Sequence, residues 1–182
     1  MDCKSEGQVQ EMADAVVQPE PWLRGTLANV PAIPRAVLHA LELARENIEH
    51  WGPLLTDEEI HAHPFDLTPF AFHVRHIGHS LDRLLTYAEG EPLNIIQRAA
   101  LGVELEPGMT REAMLAEFRQ AVREAEGRIR ALPLGELEQT RFVGGKRLPA
   151  SLGGLLVHLA DHTQRHAGQA VTTAKLLVAL RS

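Results

Sequence analysis

An all-α fold, a four-helix bundle of up-and-down order with short extra helices in its connections, is what this 182-residue sequence predicts. Three observations carry the prediction. Four stretches of roughly 20 to 30 residues place apolar side chains at three- and four-residue steps, the period of one helix face. Breakers divide those stretches: Gly52-Pro53, Gly90, Pro107-Gly108 and Pro133. No alternating strand pattern of comparable length competes, and amphipathic helices of this number bury their apolar faces against one another.

Residues 1–20 are short of apolar periodicity and are expected to form a loose leader, with a single domain over 21–182. The first helix starts near Pro31–Pro34, where a proline loses nothing by lacking an N–H, and runs to about Trp51. Val37, Leu38, Leu41, Leu43, Ala44 and Ile48 form its apolar face, and Gly52-Pro53 stops it. Residues 55–62 read as a short helix begun by Thr56 with acids in its first turn. Thr68-Pro69 reads as an N-cap followed by Pro at the first helical position, so the second helix spans about 69–88. Phe70, Val74, Ile77, Leu81, Leu84 and Ala88 share one side of it, and Gly90 ends it.

Residues 90–109 are a mixed connection with a short helix at Ile95–Leu101. The third helix runs from Thr110 to about Leu132, with Met114, Phe118, Val122, Ala125 and Ile129 inward, and Pro133 closes it. Residues 133–150 form a loop in which Gly144-Gly145 supports a short hairpin. The fourth helix starts near Ser151 and reaches Leu180.

Composition narrows the function classes. Hydrophobic residues make up 45% and charged residues 23%, ordinary for a globular domain that buries a real core. No apolar run approaches the roughly 20 residues of a membrane span. The acidic start has no apolar h-region, so a cytoplasmic protein is expected. Net charge is -6 without any cluster of Lys and Arg, which speaks against nucleic acid as a partner. The single cysteine, Cys3, provides neither an intramolecular disulfide nor a zinc-thiolate site and is a poor nucleophile. Ten histidines are the oddity.

Two of them occupy apolar positions of the last helix. Leu155, Leu159, His162, His166, Ala170, Thr173 and Leu177 follow one another at helical steps. Imidazoles on such a stripe need their nitrogens satisfied, because an unpaired buried polar group costs about 1–3 kcal/mol. Side chains at i and i+4 lie roughly 5–6 Å apart at Cβ, so both reach one metal ion. The bland alternative is a polar seam satisfied by carboxylates or water. His158, one turn earlier, extends the run.

The second helix carries His73, His76 and His79. One ligand from it would complete a three-His set with open coordination, the pattern of a catalytic site. Periodicity leaves the choice open between His73, nearest the apolar stripe, and His76 on its flank; His79 points nearly opposite.

Three stretches then carry a family likeness: EPWLRGTLANVP with the helix after it, HVRHIGHSLDRLLTYAEG, and HLADHTQRHAGQAVTTAKLL. On these the sequence resembles the DinB superfamily of metalloenzymes from about residue 20 to 182. A helical His-x3-His followed by Gly-Gln is the most specific feature. The resemblance implies His76, His162 and His166 as ligands of a divalent metal ion, with zinc or nickel expected. The family often has Arg just before Gly-Gln, where this chain has Ala167, and Arg165 instead precedes the second ligand. The ligand set is intact; a substrate role for that arginine is not carried over.

Other residues have weaker claims. His158 is the candidate catalytic residue or a pocket-lining group. His73 is expected to support the site from behind, and His79 to face solvent. His50 caps the first helix, and His61 and His63 are solvated loop residues. Asp161 either orients a ligand imidazole or is a surface acid. Arg83, Tyr87 and Gln169 either line the site or make interhelical hydrogen bonds.

The resemblance implies thiol-dependent S-transfer, with a low-molecular-weight thiol and a small electrophile as the small-molecule partners; metal-dependent hydrolysis is the other enzymatic reading. A homodimer is a family-level expectation. A non-catalytic metal-binding or dimerising stress-response bundle is the alternative from a different class.

Overall fold

The computed structural model describes residues 18–133 and 135–181. The expected leader falls largely on residues 1–17, and with Cys3 it lies outside the described residues. Four long helices dominate: α1 Ala32–Trp51, α2 Phe70–Ala88, α4 Arg111–Ala131 and α5 Leu152–Ala179. A short helix, α3, covers Ile95–Ala99 and tightens into a 3-10 turn over Ala100–Gly102. Strands β1 Thr140–Val143 and β2 Leu148–Ser151 form an antiparallel hairpin, with Val143 paired to Leu148 across the Gly144-Gly145 turn.

Local signals explain the ends. The Thr110 hydroxyl accepts from the Ala113 N–H and the Ser151 hydroxyl from the Gly154 N–H, so both residues cap the helices that follow them. Thr68 does not do this. Pro69 is the N-cap of α2, which starts one residue later than the Thr68-Pro69 signal predicts, and no side chain caps it. Gly90 adopts φ +91°, and Glu91 N–H reaches back to the Thr86 carbonyl at 3.0 Å. A left-handed residue just past the helix end is glycine's role. The short helix expected over 55–62 is a 3-10 turn, Glu59–His61, in which Thr56 and Glu59 satisfy each other's N–H groups.

The helices form a ring in which α1 touches α5 and α4, and α2 touches α5 and α4. The all-α bundle is as expected, but strict alternation of direction is not. Gly78 faces Ala121 and Glu89 pairs with Arg128, so α2 and α4 ascend together. Gln164 bonds the Ala40 carbonyl and Lys175 sits over Trp51, so α1 and α5 are also parallel. Glu49–Arg119 and His73–His166 make the other two neighbours antiparallel. The order is up-down-down-up. Its cause is the α2–α4 connection, which runs back along α2: Gln97 bonds Asp82 and Thr86, and Arg75 bonds the carbonyls of Glu104 and Glu106.

Leu41, Ile48, Phe70, Ile77, Leu81, Met114, Ile129 and Leu156 are fully buried and fill the ring's centre. Leu43 and Leu84, expected inside, are only partly buried. On α5 the buried stripe is centred on Leu152, Leu156, Leu159, Thr163, Ala167, Ala170 and Ala174. His162 and His166 therefore sit at its edge, half-buried, rather than on its crest. Among the described residues no helix is long and apolar enough to cross a membrane.

Candidate metal centre

The antiparallel crossing of α2 and α5 brings His76, His162 and His166 together, with one ligand atom from each lying within 4.8 Å of the others. His76 Nε2 is 3.3 Å from His162 Nε2. A tetrahedral ion held at about 2.0–2.1 Å by imidazole nitrogens needs them roughly 3.4 Å apart, so this spacing fits one. Ring centroids of His76 and His166 are 4.4 Å apart, and those of His162 and His166 are 4.6 Å apart. Of the two candidates that periodicity left open, His76 joins the cluster and His73 lies behind it. His73 Nδ1 meets His166 Nδ1 at 3.0 Å, so one ring donates to the other. If His166 is the donor, its Nε2 keeps a free lone pair.

The electrostatics suit a cation. Burial pushes the His162 and His166 imidazoles down to about 4, and nearby histidines and Arg165 add to the shift. His73 falls to about 4 by the same burial, followed by its histidine neighbours. With such lowered values these rings are neutral at pH 7, so each keeps one nitrogen lone pair beside its single N–H. His162 Nδ1 is buried with no hydrogen-bond partner. The Nε2 atoms of His76 and His162, facing one another at 3.3 Å with His166 beside them, fit a divalent ion, while Nδ1 is the nitrogen of His162 turned away from His76.

Glu104 is the residue sequence reasoning missed. It lies in the α3–α4 connection, is 6% exposed, and accepts from His76 Nδ1 at 2.6 Å. Its other oxygen is 3.2 Å from both His79 Nδ1 and an Arg83 guanidinium nitrogen. Burial works to raise its carboxyl, but hydrogen bonds from His76 and His79 and the Arg83 charge outweigh burial and hold it well below the usual carboxylate range. Phe72 also escaped notice; it stacks on His76 with centroids 5.3 Å apart and planes at 15°. The i, i+4 spacing of Phe72 and His76 on α2 was the signal available for it.

The remaining candidates sort by position. His158 is exposed, one turn from His162, with ring centroids 5.5 Å apart. His79 does not face solvent freely; Glu104 and Glu117 flank it. Asp161 is a surface acid paired with Arg165 and orients no imidazole. Gln169 is exposed. Tyr87 lies on α2 about 16 Å from His76 at ~1.5 Å per residue. There it lines a separate ≈ 660 Å³ cavity with Arg141 and Phe142. His61 is not simply solvated, since its Nε2 is 2.8 Å from the Met109 carbonyl oxygen. His50 is exposed in the last turn of α1, as a cap would be, and His63 is exposed in its loop.

Comparison with known proteins bears on the fold and the family. No curated protein matches the chain. Among solved structures it is similar to a conserved protein of Enterococcus faecalis, with 15% identity and a TM-score of 0.67, covering 82% of this chain and 99% of that one. At that identity the likeness speaks for the fold. The family model of the DinB superfamily matches residues 40–170, a span that holds α2, the connection with Glu104, and both α5 histidines. That match spans well over half of the chain, and this chain belongs to the DinB superfamily.

Proposed function

We propose that the chain is a metal-dependent thiol S-transferase: His76, His162 and His166 hold a divalent ion, zinc or nickel, beside which a low-molecular-weight thiol attacks a small electrophile. The observation that carries this reading is a trio of converging imidazoles, His76, His162 and His166, that gathers no fourth His, Cys, Asp or Glu among the described residues. Structural zinc sites close with four protein ligands, whereas catalytic ones keep a position open. A bound divalent ion supplies Lewis acidity, which eases the loss of a proton from a thiol or water and polarises an electrophile.

The chain's own groups do the rest. His162 and His166 sit half-buried at the rim of the α5 stripe, so the open side of the cluster is reachable by small molecules. Phe72 covers the face of His76 and limits water there. To His158, exposed and one turn away with its ring centroid 5.5 Å from that of His162, we assign the role of taking the thiol proton on a ring nitrogen. The sulfur then forms its bond to the electrophilic carbon as the leaving group departs with its electron pair. An enzyme that consumes free thiols belongs in a reducing compartment, which agrees with the cytoplasmic location expected from the sequence.

The test is turnover of an activated aryl halide by zinc- or nickel-loaded protein with a panel of thiols, beside His162→Ala. Product that needs metal and thiol together, and is lost in the variant, supports the reading. Ester hydrolysis without thiol replaces it with the hydrolase. A tightly bound ion with no turnover in either assay replaces it with a metal-binding bundle.

A further inference from the structure

A carboxylate buried in a connecting segment needs a reason, because loops seldom carry charge into the interior and a buried charge is costly unless fully paired. Glu104 is such a group, and its two oxygens are divided between different tasks. One accepts from His79 and Arg83, at 3.2 Å each. The other is left to His76 Nδ1 at 2.6 Å. The backbone there is pinned as well: Arg75 donates to the carbonyl of Glu104 at 3.3 Å and to that of Glu106 at 3.0 Å.

We propose that Glu104 is a positioning residue that fixes His76 in the Nδ1–H tautomer and turns its Nε2 toward His162 and the bound ion. An ionised carboxylate only accepts, so the proton between Glu104 and His76 belongs to Nδ1, which leaves Nε2 as the ring nitrogen that can offer a lone pair. Phe72, stacked on the ring, leaves it little freedom to rotate away. His73 backs His166 in a comparable way, through Nδ1 at 3.0 Å. Such backing partners orient ligand imidazoles and raise their basicity, and losing one costs about 10–100-fold in metal affinity. A Glu104 that served only to pin the connection through Arg83 and His79 would change stability and leave the His76 tautomer alone.

The part concerning affinity rests on the metal reading above; the part concerning the tautomer does not. The first measurement is long-range ¹H–¹⁵N correlation of the histidine rings in metal-free protein in mildly alkaline buffer. His76 is expected as the Nδ1–H form in the wild type and shifted toward Nε2–H in Glu104→Ala. The second is zinc affinity by competition with a chromophoric chelator, expected to weaken about 10–100-fold in Glu104→Ala. Glu104→Gln keeps an accepting oxygen and loses the charge, so it should weaken by about tenfold, and it decides the matter if the alanine variant does not fold. Wild-type His76 in the Nε2–H form overturns the proposal, as does unchanged zinc affinity in both variants. If the wild type binds no zinc, the metal reading falls and the tautomer comparison alone decides this one.

Discussion

Helix α2 meets two neighbours with opposite chemistry. Against α4 it presents Val74 and Gly78 to Met114, Phe118 and Ala121, and a Cβ on Gly78 would come within 3.3 Å of the Ala121 methyl. Against α5 it presents His73 and His76 to His162 and His166. The first seam is built of apolar groups, which need no polar partner. In the second, His162 Nδ1 is buried without a partner and two Nε2 atoms face one another. One seam holds the bundle together, and the other uses the rigidity so gained to keep three donors converged. Facing helices are the ordinary place for such a site.

Breaking each seam separately should give different phenotypes. The double change His162→Ala, His166→Ala should cost about 10⁴-fold or more in zinc affinity, roughly 5.5 kcal/mol, with helix content by circular dichroism unchanged. Phe118→Ala in the apolar seam should cost about 3–5 kcal/mol of unfolding free energy in a denaturant titration. Its zinc affinity, measured where the variant is folded, should stay within a few fold of wild type. His73→Ala sharpens the contrast within the polar seam. Removing a group that only backs His166 should weaken zinc about tenfold, whereas His76→Ala should abolish binding; the reverse order would put His73 in the ligand set.

The smallest effect lies outside both seams. Arg24 grips Glu46 at 2.5 and 2.9 Å and Glu42 at 3.1 Å, tying the turn at Pro21–Leu23 to α1. The hydrogen bond from Arg24 holds the Glu46 carboxyl below its usual value of 4.5, against the opposing effect of burial. A lowered folded-state pKa means stability that is present above pH 4.5 and is lost as pH falls through the folded value. Glu46→Gln should therefore unfold slightly more easily than wild type at neutral pH, and the two midpoints should converge on acidification.

The helices were legible because each writes its own period. Met114, Phe118, Val122, Ala125 and Ile129 give α4 without reference to any other part of the chain, and Thr110 and Ser151 mark their starts by local capping. Helix direction was not legible in the same way. The 90–109 connection reads as mixed turn chemistry, and only its long-range bonds to Asp82, Thr86 and the α2 end of Arg75 show that it doubles back. Glu104 was hidden for the same reason: an isolated acid in a loop carries no period, and its partners lie 21 to 28 residues away. His162 and His166 stood out because they interrupt an apolar pattern. His76 needed the family resemblance, since His73 lies closer to the stripe, and the fold places it behind His166.

The central claim is that the polar seam is a metal site. The direct test is elemental analysis of untagged protein purified without added metal, with His162→Ala prepared in parallel. The account predicts about one zinc or nickel per chain in the wild type and a loss of that ion in the variant. Absence of metal from both, together with no uptake when zinc or nickel is supplied, would contradict it and leave the histidines as a polar seam between two packed helices.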